Sequence, residues 1–389
     1  MTVEQIVNDP DLRAQLFPVT RRKHFLAHAA VAPITQPAVD RIRRAAEEGA
    51  SQEQETEVLL QELDQCRRTA ARLLHVDPSE VALVGPTAFG LNLVAQGIDF
   101  QPGDEVVFYP DDYPANVYPW MRLAERGVKL VRLEPGALGR LTPELVLDAV
   151  GPRTRLVALA SCHFLSGYLL DYRTIGEELR RRDVLFCLDG IQSLGAAPMD
   201  AACCDFLSAD SHKWLLGPLG AGIFYVRKER QDLLRPALVG AWNIRSPGFI
   251  AQPQIECVAG ARRYECGALY ALGILGMRAS MELLLEVGIE AIRERLLSLH
   301  AFLADGLRKR GWSLLAEEFP AEARSGIVTA THDGIDLAAA AERLKEQNIV
   351  VSLRWDRQGK RYLRFSPHFY NTHAELAQAV AALDRVASH

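Results

Sequence analysis

The chain has 389 residues, of which 49% are hydrophobic and 24% charged, and its 44 basic and 49 acidic side chains give a net charge of −5. This balance is typical of a globular protein with two domains, or one large domain and an appendage, and it provides no basic surface for nucleic acid or an anionic membrane. Because the sequence has neither a secretory signal nor an apolar run long enough to cross a bilayer, we expect a cytoplasmic protein that binds neither membrane nor nucleic acid.

Residues 1–20 are expected to form a short helix and an arm, and residues 36–75 have helical periodicity. From about residue 80 to 230, short apolar runs alternate with helical segments, which predicts a mainly parallel sheet covered by helices. The expected strands are Val81–Val84, Glu105–Tyr109, Lys129–Leu133, Leu156–Ala160, Val184–Leu188, Asp205–Ala209 and Ile223–Val226.

The pattern changes after residue 255. A long helical stretch over 269–311 leads to a smaller α+β unit, with strands at 326–330, 349–353 and 362–365 and helices at 336–347 and 373–387. The sequence therefore predicts an N-terminal arm over 1–20, a large domain over 21–255 and a small C-terminal domain over 256–389.

Seven cysteines are spread along the chain without a C-x-x-C pair, and none follows Cys266. Cys203 and Cys204 are adjacent and could not both bind one metal ion without strain. We therefore expect free thiols in a reducing compartment, with neither a disulfide framework nor a metal site.

A lysine and an aspartate each follow an apolar strand. Lys213 lies in Ser208–Trp214, ahead of the glycine-rich Gly217–Gly222, and Asp189 follows Val184–Leu188. Open α/β sheets bind ligands at the carboxyl ends of their strands. A lysine at such a position is otherwise usually a solvated charge and an aspartate a helix or turn cap. Together they suit pyridoxal 5'-phosphate (PLP), which needs a Schiff-base lysine and an acidic partner for its ring nitrogen.

A strand, a tight turn and a helix beginning near Thr87 follow each other in Val84–Val94. Because a helix N-terminus presents unpaired N–H groups and a positive dipole end, this turn suits a phosphate dianion, with Thr87 adding its hydroxyl and Ala88 its backbone. Strand–glycine–helix turns are common, so the signal is weak by itself. No G-x-G-x-x-G follows the first strand, which disfavours a nicotinamide dehydrogenase.

These motifs, in this order, resemble the class V aminotransferase family of fold-type I PLP enzymes, which includes cysteine desulfurases, kynureninase and isopenicillin N epimerase. The resemblance covers about residues 24–385. It implies the PLP-transferase fold: a large α/β domain with a mainly parallel seven-stranded sheet, plus a smaller α+β C-terminal domain. It also implies a catalytic Schiff base on Lys213, a catalytic Asp189 at the ring nitrogen, and a homodimer with shared active sites.

The resemblance extends to other cofactor contacts. Gln192 matches a contact to the phenolic oxygen, and Tyr113 the residue that stacks on the ring, although a plain loop aromatic is the alternative. His212 and Asp210 match positions near the phosphate, where Asp210 could instead accept a bond from His212. His163 matches a catalytic position beside the phenolic oxygen or the substrate, with a purely structural histidine as the alternative.

Arg364 resembles the arginine that binds the substrate carboxylate, since its planar fork can form two parallel bonds; a salt bridge inside the small domain is the alternative. Arg354 either recognises the substrate side chain or, as we favour, is solvated at a strand end. Trp242 and Asn243 would reach a neighbouring subunit's site or pack internally. The segment ending in Gly267–Ala268 lacks the hydroxyl that relatives place on the partner's phosphate.

The prediction of the reaction type depends on the absence of a particular cysteine. Cysteine desulfurases need a nucleophilic cysteine in a mobile loop roughly fifteen residues before the substrate arginine. The corresponding stretch, 347–353, has none, which disfavours that activity. Kynureninase has no clear signature here. The sequence favours an aminotransferase whose small-molecule substrate is an amino acid, with a C–S β-lyase or an epimerase as the alternative. A non-catalytic regulator would not need Lys213, Asp189 and Arg364.

Overall fold

The computed structural model describes residues 1–54 and 56–384. The α-helices in these ranges are α1 (Val3–Asn8), α2 (Pro10–Leu16), α3 (Gln36–Ser51), α4 (Glu57–Leu74), α5 (Thr87–Gly97), α6 (Tyr118–Met121), α7 (Pro143–Asp148), α8 (Tyr172–Arg181), α9 (Ala271–Val287), α10 (Ile289–Arg308), α11 (Leu337–Glu346) and α12 (His373–Asp384). The strands are β1 (His24–Phe25), β2 (Val81–Val84), β3 (Glu105–Phe108), β4 (Lys129–Arg132), β5 (Thr154–Ala160), β6 (Leu185–Asp189), β7 (Phe206–Asp210), β8 (Gly222–Val226), β9 (Ser313–Leu314), β10 (Val328–Thr331), β11 (Ile349–Val350), β12 (Ser352–Trp355) and β13 (Arg361–Phe365).

The large sheet has seven strands in the order β2-β8-β7-β6-β5-β3-β4. Neighbours from β4 to β7 are parallel, whereas β8 runs antiparallel to both β7 and β2. The sheet is therefore mainly parallel, and the predicted PLP-transferase fold is confirmed. Because β2 runs in the same direction as β3, β4, β5, β6 and β7, the carboxyl ends of all six strands lie at one edge.

The central strands are largely apolar because helices cover both faces of the sheet. In β6, Leu185 and Cys187 join one buried cluster while Phe186 and Leu188 join the other, as the two-residue period of a strand requires. Helix α5 packs against β7 and β8, on the face opposite the core that contains α9.

The small sheet is antiparallel, in the order β12-β13-β10-β9, and α10, α11 and α12 pack against it. The N-terminal segment reaches this unit: β1 pairs in parallel with β11, and Leu26 lies in the apolar cluster of the small sheet. Helix α9, which follows the predicted boundary at 255, packs against α3 and α4. The division into 1–20, 21–255 and 256–389 stays a prediction.

Two long helical stretches are interrupted where the sequence predicted continuity. Over 36–75 the chain forms α3 and α4, and the Thr56 side chain caps α4 by accepting the N–H of Leu59. Over 269–311 it forms α9 and α10, separated by Gly288 at a φ of 92°. Residues 385–387 of the predicted last helix lie outside the described residues. None of the described helices has the length and apolar character that a bilayer-spanning segment needs.

Candidate active site

A cleft of about 620 Å³ opens at the edge of the large sheet where the parallel strands end. It is bordered on one side by the small sheet, through Arg354 and Arg364, and on another by the N-terminal segment, through Ala29 and Val31. Most of the residues predicted for the site line it together: Thr87, Ala88, Tyr113, Asp189, Gln192, His212, Lys213 and Arg364.

Lys213 follows β7 and is only 6% exposed. Burial lowers the pKa of its amine to about 8, an effect that nearby Asp189 opposes and that the guanidinium of Arg364 reinforces. The Nζ atom lies 5.1 Å from the centroid of the Tyr113 ring. The site therefore holds an amine that can lose its proton near neutral pH, which is what a nucleophile or a base requires.

Asp189 is the last residue of β6, and its side chain is buried at the floor of the cleft. Its Oδ1 accepts the N–H of Ile191 at 3.0 Å. Burial raises the pKa of the carboxyl to about 6, while this hydrogen bond and Lys213 act in the opposite direction. Above that pH the cleft presents a carboxylate that can pair with a cationic ring nitrogen.

Helix α5 begins at Thr87, as the sequence predicted, and Pro86 before it offers no side-chain cap. Ser208 of β7 holds this end of the helix by donating its hydroxyl to the Thr87 carbonyl at 3.0 Å. The Thr87 hydroxyl accepts the N–H of Asp210 at 2.9 Å. The first turn of α5 is thus anchored at the cleft with uncapped N–H groups, which suits an anion.

His212 lines the cleft, whereas Asp210 lies behind it. Oδ1 of Asp210 is 3.0 Å from Nδ1 of His212, and its Oδ2 accepts the N–H of Gly220 at 3.3 Å. Asp210 therefore contacts the histidine rather than the cleft, the second of the two arrangements that the sequence allowed.

Gln192 is buried and its amide orientation is set by two partners. Its Nε2 donates to the carbonyl of Ala29 at 3.1 Å, and its Oε1 accepts the indole N–H of Trp214 at 3.0 Å. An amide nitrogen has two protons, so one N–H of Gln192 is left for a ligand in the cleft.

The loop after β3 carries Tyr113, which is 48% exposed. Beneath it lies Asp112, a buried carboxylate that the sequence did not single out. Its Oδ1 accepts the N–H of Tyr113 at 2.7 Å and its Oδ2 accepts Nδ2 of Asn116 at 3.1 Å. Burial, reinforced by Asp189, raises the pKa of Asp112 to about 7. The Asp111-Asp112 pair is visible in the sequence, but nothing there shows which of the two is buried.

His163 lies beside the cleft and is not among the residues that line it. Its Nδ1 is 2.9 Å from the hydroxyl of Ser166 and its Nε2 is 3.1 Å from the carbonyl of Asp111, so both ring nitrogens have protein partners. Burial lowers its pKa to about 4. Phe164, the next residue, lines the cleft instead. Its ring packs edge-on against that of Tyr113, with the ring centroids 5.6 Å apart. The catalytic role of His163 stays a prediction.

Arg364 is 1% exposed. Its Nη1 donates to the carbonyl of Phe164, but its Nε and Nη2 have no hydrogen-bond partner among the described residues. Burial, reinforced by the positive charge of neighbouring Arg354, lowers its pKa to about 9. A buried cation with two unused donors at a cleft is prepared for an anion that comes from outside the protein.

Arg354 also lines the cleft, although the sequence favoured a solvated strand end. The deciding fact is the pairing register of β12 with β13, which brings the two arginines to one face and which the sequence does not show. Asn243, by contrast, is fully buried, and its side chain contacts Leu238, Gly240 and Arg263. Neither Trp242 nor Gly267–Ala268 lines this cleft, and their reach toward a neighbouring subunit stays a prediction.

The described residues contain no group of three or more His, Cys, Asp or Glu side chains that could hold a metal ion. The lining of the cleft includes no cysteine in the described ranges. The chemistry available is therefore that of an amine, a carboxylate, an anion-binding helix end and arginine donors.

The sequence model of the family described as Aminotransferase class-V matches residues 24–378. The chain is 26% identical over 374 residues to the uncharacterized aminotransferase YcbU of Bacillus subtilis, covering 95% of this chain and 96% of that protein. It is 30% identical over 335 residues to the isopenicillin N epimerase of Amycolatopsis lactamdurans, covering 82% and 83%.

Among solved structures, the fold is similar to that of the apo cysteine desulfurase from Thermococcus onnurineus NA1, with a TM-score of 0.88. That match has 20% sequence identity and covers 97% of this chain and 98% of the other. Since the family match spans most of the sequence and includes the strand ends that form the cleft, the chain belongs to the class V aminotransferase family, and its cofactor is pyridoxal 5'-phosphate.

Proposed function

We propose that this PLP-dependent enzyme is an aminotransferase that acts at the Cα of an amino acid. The observation that carries the proposal is the position of Lys213: a buried amine with a lowered pKa, facing a cleft that also contains Asp189 and the unpaired donors of Arg364. Lys213 would bond to the aldehyde carbon of PLP, Asp189 would pair with its ring nitrogen, and Arg364 would bind the substrate carboxylate.

The cleft residues fit PLP group by group. The uncapped first turn of α5, with Thr87 and Ala88, would hold the phosphate, and His212 adds a ring nitrogen on the same side. Asp189 would hold the ring nitrogen, Gln192 the phenolic oxygen and Lys213 the aldehyde carbon. Tyr113 offers an aromatic face in the cleft. Each polar group of the cofactor thus meets a residue of suitable charge or hydrogen-bonding character.

Bound PLP supplies an electron-accepting ring that makes the Cα–H bond of an attached amino acid acidic. Lys213 is the residue that takes the proton from Cα, since its pKa of about 8 balances basicity against the need for a free amine. Arg364 binds the α-carboxylate through Nε and Nη2 and so orients the Cα–H bond toward that amine. Asp189, as a carboxylate, keeps the ring nitrogen protonated.

The stretch before Arg364 that would carry a desulfurase cysteine supports transamination over desulfuration. Residues 347–353 contain no cysteine. In the structure this stretch includes β11, which pairs with β1, and the beginning of β12, which pairs with β13. It therefore offers no thiol to act as the nucleophile that desulfuration needs.

The acid–base groups of the cleft support transamination over epimerisation. Inverting a Cα centre with two bases needs a proton donor or acceptor on each face of the substrate. Lys213 is one such group. His212 also lines the cleft, but its Nδ1 is held 3.0 Å from Oδ1 of Asp210. A single base suits transamination, in which one group removes the Cα proton and delivers it to the cofactor instead of returning it to the opposite face of Cα.

The test is an assay of the holoprotein with an amino acid and a 2-oxo acid, in which we expect a new amino acid that requires both. Lys213→Ala is the inactive control. Pyruvate and ammonia formed without an acceptor would instead identify a C–S β-lyase. Deuterium uptake with racemisation would identify an epimerase, and sulfur transferred from cysteine to a thiol a desulfurase.

A further inference from the structure

The two arginines of the β12–β13 hairpin lie on the same side of the small sheet. Arg364 is directly opposite Ser352 in the antiparallel pair, and Arg354 is two residues beyond Ser352. Residues two apart on a strand share a face, so the arginines are diagonal neighbours with backbone positions about 7–8 Å apart. Both side chains line the cleft that contains Lys213.

Neither guanidinium has a carboxylate partner in the described residues. Arg354 donates to the carbonyl of Leu353, and Arg364 to that of Phe164. Other arginines of the same hairpin are paired: Arg357 with Asp111, and Arg361 with Asp336 at 3.7 Å. Among these four arginines of the hairpin, the two without a counter-charge are thus the two that face the cleft.

The cleft is cationic at this end. The charged or titratable groups facing the two arginines are Lys213, Tyr113, His212 and Asp189, and Asp189 is the one carboxylate in the described lining. Arg354 disfavours the positive charge of Arg364, and both arginines disfavour that of Lys213, so the pKa values of Arg364 and Lys213 are lowered. One substrate carboxylate would neutralise the buried Arg364 and leave the half-buried Arg354 without a counter-charge, which is unfavourable.

We propose that the substrate is a dicarboxylic amino acid, with Arg364 binding the α-carboxylate and Arg354 the side-chain carboxylate. This inference rests on the proposed function, because it takes the α-carboxylate to be held beside Lys213. Arg354 is then the residue that determines specificity. A neutral side chain of equal length would leave its charge without a partner, so discrimination comes chiefly from the cost of the unpaired cation.

The test uses ligands that lack an amine and therefore cannot react. Glutarate is compared with pentanoate, and succinate with butyrate, so that each pair has the same carbon number and differs in one carboxylate. Cofactor attachment is first verified on a separate portion of the holoprotein by borohydride reduction and peptide mapping. Binding to the unreduced holoprotein is then measured by titration calorimetry. We expect at least one dicarboxylate to bind about tenfold to a hundredfold more tightly than its monocarboxylate partner.

The variant Arg354→Gln should remove that preference because it weakens binding of the dicarboxylate, whereas the affinity for the monocarboxylate should change by less than about threefold. Arg361→Gln is the matched control, since it removes one positive charge from the same hairpin outside the cleft, and it should preserve the preference. Binding of glutamate and of glutamine is compared through the spectral change of the cofactor. The wild-type protein should prefer glutamate, and Arg354→Gln should lose that preference.

Equal binding of the two members of both pairs would overturn the inference, as would an Arg354→Gln variant that weakens mono- and dicarboxylates alike. The proposed function fails separately, through absence of cofactor attachment or of any amino-acid response. A holoprotein that transaminates neutral amino acids with no preference for acidic ones would therefore refute this inference alone.

Discussion

Lys213 illustrates how burial prepares a residue for chemistry. In water a lysine amine is almost fully protonated at pH 8, but in the cleft its pKa falls to about 8 because the charged form is desolvated. Asp189 moderates this effect, since its negative charge favours the ammonium form. The balance leaves a neutral fraction near pH 7 that is far larger than that of a lysine in water.

The rate at which the apoprotein attaches PLP should rise through about pH 8, because only the neutral amine attacks an aldehyde. The stability of the apoprotein should also rise with pH. Between about pH 8 and 10.5 the lysine is protonated in the unfolded chain but neutral in the folded one, so this group stabilises the folded state increasingly as the pH rises through that range. Stopped-flow absorbance at several pH values measures the rate. Lys213→Ala should fold but attach no cofactor, and a rate independent of pH between about 7 and 9 would contradict the assignment.

Replacing Arg364 should weaken amino-acid binding through loss of its two free donors. We expect Arg364→Ala to cost about 1.5–3 kcal/mol, the contribution of a charge-assisted bond, measured from the amino-acid concentration that half-saturates the spectral change of the cofactor. Arg364→Lys keeps the charge without the fork and should lie in between. Unchanged half-saturation in the folded Ala variant would refute the carboxylate role.

At the scale of elements, the proposed phosphate site depends on how closely α5 approaches β7. Gly90 permits that approach, since a Cβ added there would lie 2.7 Å from Cβ of Ser208 and 3.0 Å from Cδ2 of Phe224. Ser208 also holds the first turn of the helix through its bond to the Thr87 carbonyl. The glycine thereby determines where the N–H groups of α5 stand relative to Lys213.

Gly90→Ala should therefore destabilise the protein by about 1–3 kcal/mol through overpacking and weaken PLP binding as well. Gly49→Ala in α3 is the matched control: its nearest neighbour would be Cγ of Gln54 at 3.5 Å, so we expect stabilisation by about 0.5–1 kcal/mol and unchanged PLP affinity. Denaturant unfolding and cofactor titration measure the two effects. Equal PLP affinity of both variants would show that α5 does not position the phosphate.

The seven strands and the grouping of most site residues could be predicted from the sequence, because apolar runs ending in Asp189 or preceding Lys213 are local patterns. Contacts set by strand register or by burial could not. From the sequence alone, Arg354 is expected to be solvated at a strand end. Its position on the same face as Arg364 depends on the register in which β12 and β13 pair, which the sequence does not show. His163 and Phe164 are adjacent, and only the backbone direction after β5 decides which one faces the cleft.

At the scale of the whole molecule, an apolar surface predicts self-association. Large exposed apolar side chains are concentrated over 238–255: Leu238, Val239, Phe249, Ile250 and Ile255, of which Phe249 and Ile255 are 71% and 74% exposed. Contiguous apolar patches on a folded protein commonly mark interfaces. The homodimer that the resemblance implies stays a prediction, and these side chains are candidates for its interface.

Light scattering of the purified protein should give twice the mass of one chain, and Phe249→Asp should shift the equilibrium toward the monomer. The control is Phe302→Asp in α10, which removes another exposed aromatic ring, 40% exposed, at a distance in sequence from this surface. A wild-type protein that is monomeric at all concentrations would refute the predicted dimer.

The walls of the cleft come from both ends of the chain: Ala29 and Val31 lie near its beginning, and Arg354 and Arg364 near its end. A ribosome that has just translated residue 350 has already synthesised Lys213 and Asp189, but not the hairpin with both arginines. Recognition of a substrate through these arginines therefore requires synthesis of the hairpin, well after the reactive amine is in place. A chain truncated before the hairpin would keep that amine but lack both guanidinium groups that we propose for substrate binding.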